Sequence, residues 1–302
     1  VDRLESMSIL VAAAEEGSLS AAARRLGIPL TNVSRKVSEL EAYLKTGLVN
    51  RSSRRLTLTD AGRSYVADCK RILDLVGEAE RAATGEYGAP KGDLVITAPI
   101  VFGRLHVLPV TTEFLKAYPE IDVRLVFADR IVNLFEEQID LAVRIGDLPD
   151  SSLIATRIGA IRHVVCGSPG YFAARGMPGI PDELGRHDCI TFEGLVSPSV
   201  WTFTFGKAIK SVSVHSRLIV NTAEAAINAA AAGVGITRVL SYQVAQEIRA
   251  NQLVLALEDF EPAPWPVSLV YTDQRLLPSK VRVFLDYVVP RLKATLSAGA
   301  NA

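Results

Sequence analysis

Residues 18–63 constrain this chain more than any other stretch. Ser18-Leu19-Ser20-Ala21-Ala22-Ala23-Arg24-Arg25-Leu26-Gly27 reads as one short helix. Ser18 is placed to cap its first turn, and Gly27 to end it in the left-handed conformation open to glycine. Pro29 or Thr31 opens a second helix, whose Val33, Val37, Leu40 and Leu44 recur at helical spacing. The small side chains of Ala21, Ala22 and Ala23 let the two helices cross closely. Thr31, Asn32, Ser34, Arg35 and Lys36 lie near the start of the second helix. Two short helices joined by a tight turn can place one helix in the DNA major groove. There, short hydroxyl and amide side chains reach base edges, while Arg and Lys reach phosphate or guanine. The competing reading of these five residues is a solvated helix face.

A basic hairpin follows. Leu48-Val49 and Leu56-Thr57-Leu58 alternate like two short strands around Arg51-Ser52-Ser53-Arg54-Arg55. This is the pattern of a wing, with Arg51, Arg54 and Arg55 as contacts to phosphate or the minor groove. The whole chain carries 33 basic and 33 acidic residues. Between residues 24 and 63, however, nine basic residues stand against three acidic ones. A local basic footprint on a neutral chain suits a DNA-binding segment joined to a separate sensing part.

Thr59 then caps a long helix, with Asp60 in the first turn where the helix dipole favours a carboxylate. The helix runs from Ala61 to about Thr84, with a stripe of Ala61, Tyr65, Cys69, Ile72, Leu75 or Val76, and Ala79. Such a stripe needs a cover, either a second copy of the helix or the helix's own domain. Gly85, Gly88, Pro90 and Gly92 follow as a linker. Beyond them strands and helices alternate. Strands are expected at 94–97, 123–127, 141–143, 153–166, 189–192, 200–205, 209–220, 253–256 and 267–272. Helices are expected at 101–118, 133–137, 223–232, 239–249 and 279–293. This alternation argues for α/β sheets with ligands at the strand ends.

Several function classes are disfavoured. A chain of 302 residues fits two or three domains. Cys69, Cys166 and Cys189 are odd in number and far apart, which suits neither a disulfide framework nor a zinc site. They read as small buried or half-buried side chains. No apolar run approaches the ~20 residues that span a bilayer, so no membrane partner is expected. The start Val1-Asp2-Arg3-Leu4-Glu5 lacks the pattern of a secretory signal, which makes the cytoplasm the expected location. His106, His163, His187 and His215 are scattered, and no nucleophile elbow or phosphate loop is present. Gly233-Val234-Gly235 sits in a helix-to-strand turn, the wrong context for dinucleotide binding. No cofactor, metal site or catalytic residue is expected. An enzyme with an appended DNA-binding part is one alternative, and a solute-binding transport protein is another.

The chain resembles the LysR-type transcriptional regulators along its whole length. The resemblance is carried by Gly17-Ser18-Leu19-Ser20-Ala21-Ala22-Ala23-Arg24-Arg25-Leu26, by Val33-Ser34-Arg35, by Leu40-Glu41 and by Leu56-Thr57-Leu58-Thr59-Asp60-Ala61-Gly62. In the second part it rests on Gly92-Asp93-Leu94-Val95-Ile96, Pro119-Glu120-Ile121-Asp122-Val123, Ile139-Asp140-Leu141-Ala142-Val143-Arg144 and Ala232-Gly233-Val234-Gly235-Ile236. It implies an N-terminal all-α winged helix-turn-helix with a long linker helix. An α/β periplasmic-binding-protein-like effector domain of two subdomains follows. The implied limits are 1–59 for the DNA-binding domain, 60–87 for the linker and dimerisation helix with its hinge, and 88–302 for the effector domain. Subdomain I is expected at about 88–162 plus 266–295, and subdomain II at about 163–265.

The implied function is sequence-specific transcriptional regulation, controlled by a small organic effector of anionic character bound between the subdomains. The implied partners are double-stranded DNA with dyad-related half-sites, the effector, further copies of the chain as dimer and tetramer, and RNA polymerase. The junctions that line such a cleft are Pro99-Ile100-Val101, Asp129-Arg130, Arg144-Ile145-Gly146, Phe192-Glu193-Gly194 and Asn221-Thr222. Helix N-termini there offer N–H groups suited to a carboxylate. Arg130 and Arg144 fit an anionic ligand, or equally structural ion pairs with Asp129 or Asp147. Two departures stand out. The family usually has Ser-Gln where this chain has Pro29-Leu30, and often a hydroxyl where Pro99 sits.

Overall fold

The computed structural model describes residues 2–50, 56–84, 90–130, 132–134, 136–148, 153–192, 199–272 and 277–300. Internal contacts divide the chain into Val1–Gly92 and Asp93–Ala302. Arg51, Arg54, Arg55 and Glu193, and the linker residues Gly85 and Gly88, lie outside the described residues.

In the first unit, α1 (Arg3–Glu16) starts at Asp2, whose carboxylate accepts from the Glu5 N–H, and ends at Gly17 with φ 61°. The Ser18 hydroxyl caps α2 (Leu19–Leu26) at the Ala21 N–H, and Gly27 ends it at φ 67°. α3 (Leu30–Leu44) begins directly after Pro29, which supplies no capping side chain. Ile9 and Leu10 of α1 pack with Ala23, Val33, Val37 and Leu40 into one buried core. β1 (Val49–Asn50) and β2 (Thr57–Leu58) pair antiparallel, with Val49 facing Leu58. α4 (Asp60–Thr84) follows, capped by the Thr59 hydroxyl at the Gly62 N–H, 2.9 Å. Its first half packs on α1 and the hairpin, which buries Val66 and Cys69.

In the second unit, β3 (Gly92–Ala98) leads into α5 (Ile100–Phe102), a π turn (Gly103–Val107) and α6 (Leu108–Ala117). β4 (Ile121–Phe127), β5 (Leu141–Ile145), β6 (Leu153–Ile161) and β7 (His163–Gly167) follow. After α7 (Pro169–Arg175) come β8 (Cys189–Phe192), β9 (Val200–Phe205), β10 (Ala208–Ser213) and β11 (Ser216–Val220). α8 (Ala223–Ala231), β12 (Ile236–Leu240), α9 (Ala245–Arg249), β13 (Val254–Ala256), β14 (Trp265–Thr272) and α10 (Ser279–Ala300) complete it.

Two five-stranded sheets result, in the orders β4-β3-β5-β14-β6 and β11-β8-β12-β7-β13. Each belongs to one subdomain. The chain crosses between them at Arg162 and again between β13 and β14. Phe102, Phe114 and Phe284 anchor the first core, with the rings of Phe114 and Phe284 edge-on at 4.9 Å. Trp201 and Phe203 bring the β9–β10 hairpin down onto one face of the second sheet, and α8 covers the other.

Five expectations need correction. The helix at 133–137 is a single turn, closed by the Glu137 N–H on the Asn133 carbonyl and ended by Gln138 at φ 54°. The helix at 239–249 gives way to strand β12 over its first residues. Val239 and Leu240 pair with Val164 and His163 of β7 at the end of this mid-sheet strand, where packing overrides the helical pattern. The strand at 153–166 is two strands in different sheets, broken at Arg162, and that at 209–220 divides likewise between the hairpin and the sheet. The helix at 101–118 contains the π turn, where the Phe127 ring lies against Gly103; a Cβ there would meet it at 2.4 Å. The three cysteines are free and buried.

Candidate DNA interface and effector cleft

The α3 face opposite Val33, Val37 and Leu40 is the outward one. It exposes Thr31, Asn32 and Arg35 and half-exposes Ser34. Pro29 makes no side-chain cap to α3; the Asn32 and Val33 N–H groups donate to its carbonyl at 2.9 and 3.3 Å. The five sequence-predicted residues do not share one environment. Arg35 is 60% exposed and makes only an i,i+4 pair with Glu39 at 3.2 Å, which is weak in water. Lys36 has a side chain only 16% exposed and is bound to Glu5 on α1, so it fastens two helices together. Behind this face Glu15 accepts from both Lys70, 2.7 Å, and Arg25, 2.8 Å. These cations, Lys70 foremost, hold its carboxyl below the usual range.

The residue that sequence reasoning missed here is Glu41. Its carboxylate accepts from the Leu48 N–H at 2.7 Å and the Val49 N–H at 3.1 Å, which fixes where the hairpin leaves α3. The Leu40-Glu41 pair was visible in the sequence; the seven-residue reach of its carboxylate was not.

In the second unit, the described residues among those predicted for the cleft lie at strand ends, on the loops that follow them and at helix starts. Pro99 precedes α5 without capping it, and the Asp129 carboxylate accepts from the Ile100 N–H at 2.9 Å. Val101 is buried and Ile100 exposed. Asp129→Ala is expected to cost about 1 kcal/mol of stability, as a lost cap does. A thermal melt of the second unit checks this; an unchanged midpoint would deny Asp129 the capping role. Thr222 caps α8 through the Ala225 N–H at 3.2 Å, beside the exposed Asn221. Gly146, buried and at φ 107°, lies against the Trp265 ring.

The two arginines are engaged within their own subdomain. Arg130 donates both terminal nitrogens to Glu137 at 2.6 Å, and Arg144 donates to the Val132 carbonyl at 2.7 Å. Neither uses the partners Asp129 or Asp147 considered from the sequence. Between the subdomains, Phe102 and His106 pack on Tyr242, and Arg104 reaches Glu224 at 2.6 Å. A cavity of about 570 Å³ lies elsewhere in subdomain II, near Arg175, Asp188 and Arg217, and none of the predicted effector residues lines it. Among the described residues no helix is long and apolar enough to cross a membrane, and no group of His, Cys, Asp and Glu could hold a metal ion.

A winged helix-turn-helix ahead of two α/β subdomains is the architecture of an effector-controlled DNA-binding protein. Residues 4–63 match the family described as bacterial regulatory helix-turn-helix protein, lysR family, and residues 88–293 match the LysR substrate binding domain. An HTH-type transcriptional repressor of Pseudomonas aeruginosa is 33% identical, over 96% of this chain and 92% of that one. The HTH-type transcriptional activator AaeR of Escherichia coli is 31% identical, over 95% of this chain and 93% of its own. The solved structure of CrgA, a LysR-type regulator from Neisseria meningitidis, is similar with a TM-score of 0.61 and 29% identity, over 95% of this chain and 98% of that one. The chain therefore belongs to the LysR family of bacterial transcriptional regulators. It is a DNA-binding regulator, not an enzyme, and its second unit is a domain that binds small-molecule effectors.

Proposed function

We propose that α3 enters the major groove with Thr31, Asn32, Ser34 and Arg35 toward the bases and backbone, and that Lys36 holds the helix in place through Glu5. The observation that carries this reading is the two-sided character of α3: Val33, Val37 and Leu40 are fully enclosed, while Thr31, Asn32 and Arg35 are exposed and Ser34 is half-exposed. Arg51, Arg54 and Arg55 extend the interface at the wing.

Dimers form through the second half of α4. Its first half is covered by α1, but Ile72 is 39% exposed, Ala79 is exposed, and Leu75 and Val76 are only partly covered within the chain. Two copies then read dyad-related half-sites, and paired dimers give a tetramer that RNA polymerase can meet at a promoter. DNA as target puts the protein in the bacterial cytoplasm. The effector is a small organic anion held between the subdomains, near Pro99, Ile100, Val101, Asp129, Arg130, Arg144, Gly146, Glu193, Asn221 and Thr222. Relatives of both signs, a repressor and an activator, support regulation without fixing its direction.

Selection of genomic DNA fragments by the intact protein tests this reading. The expected result is a set of sites with paired half-sites. Ser34→Ala and Arg35→Ala should each weaken them by roughly 1–3 kcal/mol, about ten-fold or more. Sequence-blind binding, or binding indifferent to both substitutions, would remove α3 as the reading helix.

A further inference from the structure

Arg238 lies on β12, the central strand of the second sheet. It faces Val165 across the β12–β7 ladder, and Leu240 faces His163. Arg238 and His163 are therefore diagonal neighbours on one face of the sheet, within reach of a common ligand. The Arg238 guanidinium lies 5.7 Å from the centre of the Phe203 ring, and the residue is half-buried. It makes no ion pair or hydrogen bond with any described residue. The two carboxylates of the returning crossover, Glu258 and Glu261, are held by Arg162 at 3.8 and 3.3 Å. Burial pulls the Arg238 pKa down to about 10, and burial together with this neighbouring charge brings His163 down to about 3. His163 is 4% exposed, neutral, and its Nδ1 has no hydrogen-bond partner.

This spot is at the junction of the subdomains. His163 and Trp265 are the first strand residues after the two crossings, and their rings meet edge-on at 4.1 Å. Trp265 is 37% exposed and touches Gly146, one of the predicted cleft residues. Leu240 and Tyr242, just beyond Arg238, pack on the core of subdomain I. By contrast, the anion notch expected at the start of α5 is already filled, because Asp129 takes the Ile100 N–H.

A half-buried cation without a counter-charge has lost part of its hydration, and a stacked aromatic ring offsets only part of that cost. We infer that Arg238, the Nδ1 edge of His163 and the exposed ring of Trp265 form the anion-holding end of the effector cleft, and that it takes a small planar carboxylate. The assignment rests on the effector reading above and moves the charge-bearing end from the α5 start to subdomain II. One guanidinium beside one neutral imidazole balances a single negative charge, which suits a carboxylate better than a phosphate dianion. The planar fork of Arg matches two carboxylate oxygens, and an imidazole protonated on Nδ1 donates to one of them. Trp265 supplies a flat apolar wall for the rest of the ligand. An occupant would touch both crossing strands, so its binding acts directly on the angle between the subdomains.

Thermal melts of the full-length protein with benzoate test the assignment, with benzamide as neutral isostere and chloride at equal ionic strength. Benzoate is expected to raise the wild-type midpoint by several degrees, and benzamide and chloride are not. Arg238→Met should abolish the response and, without ligand, melt at or above wild type, because it removes an unpaired, half-buried charge. Arg238→Lys should keep part of the response. The inference is overturned if benzoate leaves wild type unmoved, if Arg238→Met responds like wild type, or if Arg238→Met melts well below wild type without ligand. Stabilisation of wild type by benzoate with no change in its complex with a selected DNA site would support the anion site and overturn the effector reading instead.

Discussion

Gly62→Ala is expected to unfold the DNA-binding unit and leave the effector unit intact. Gly62 lies in the first turn of α4, where alanine by itself would favour the helix by about 1 kcal/mol. The clash outweighs that gain. A Cβ at this position would sit 2.0 Å from the Leu48 carbonyl oxygen and 2.9 Å from its carbon. The obstacle is backbone, and it is held from several sides. The Leu48 carbonyl accepts from the Thr59 N–H at 3.0 Å, and the Leu48 N–H is bound to Glu41 at 2.7 Å. Relief requires α4 to move away from the hairpin, which breaks the Thr59 cap and opens the core beneath Val66 and Leu48. Overpacking typically costs about 1–3 kcal/mol, and a rigid backbone obstacle puts this site at the upper end or beyond. Calorimetry should show the transition of the first unit lowered or lost, that of the second unchanged, and operator binding abolished. A first transition at the wild-type temperature would show that α4 can shift cheaply.

Glu41→Ala is the second large effect. It strips the acceptor from two backbone N–H groups at the entry to the hairpin, Leu48 and Val49, both buried residues. Hydrogen bonds to a charged group contribute about 1.5–3 kcal/mol each, so a loss of ~3–5 kcal/mol is expected. Glu41→Gln separates geometry from charge. The same oxygen position, Oε1, accepts both bonds, and an amide carbonyl can occupy it, so this variant should lose only about 1 kcal/mol. Urea denaturation gives both values. Operator affinity should follow the same order, because the wing leaves α3 through this contact. Equal losses for the two variants would mean that the carboxylate acts through its charge and not by seating the hairpin.

These two residues show where sequence reading ends. Gly62 and Glu41 stood inside recognisable motifs, yet their partners are fourteen and seven to eight residues away, and no periodicity reports a contact of that kind. The helix ends read from the sequence of the first unit were legible because each is set by its nearest neighbours: Ser18 and Thr59 cap, and Gly27 terminates. Pro29, which does not cap, still marks the start of α3, since proline fixes the backbone entering a helix. The second unit was less legible. Its strand and helix alternation gave the class of fold, but Val239 and Leu240, the end of a strand, passed for the start of a helix. Charges were the hardest to read. Lys36 and Arg35 are adjacent in the sequence, and only the neighbouring helix separates the fastener from the exposed side chain. Arg130 and Arg144 read equally as ligand arms or as ion-pair partners of Asp129 or Asp147, and in the fold they engage Glu137 and the Val132 carbonyl.

The sequence by itself determined that a basic, capped helix pair with a wing precedes a long helix and an α/β domain, because caps, turns and apolar spacing act over a few residues. The tertiary structure decided which strands share a sheet, which cations are neutralised, and that Arg238 stands half-buried beside Phe203 with no counter-charge among the described residues. Those outcomes depend on groups brought together from distant parts of the chain, where packing and the low dielectric of the interior set the energies.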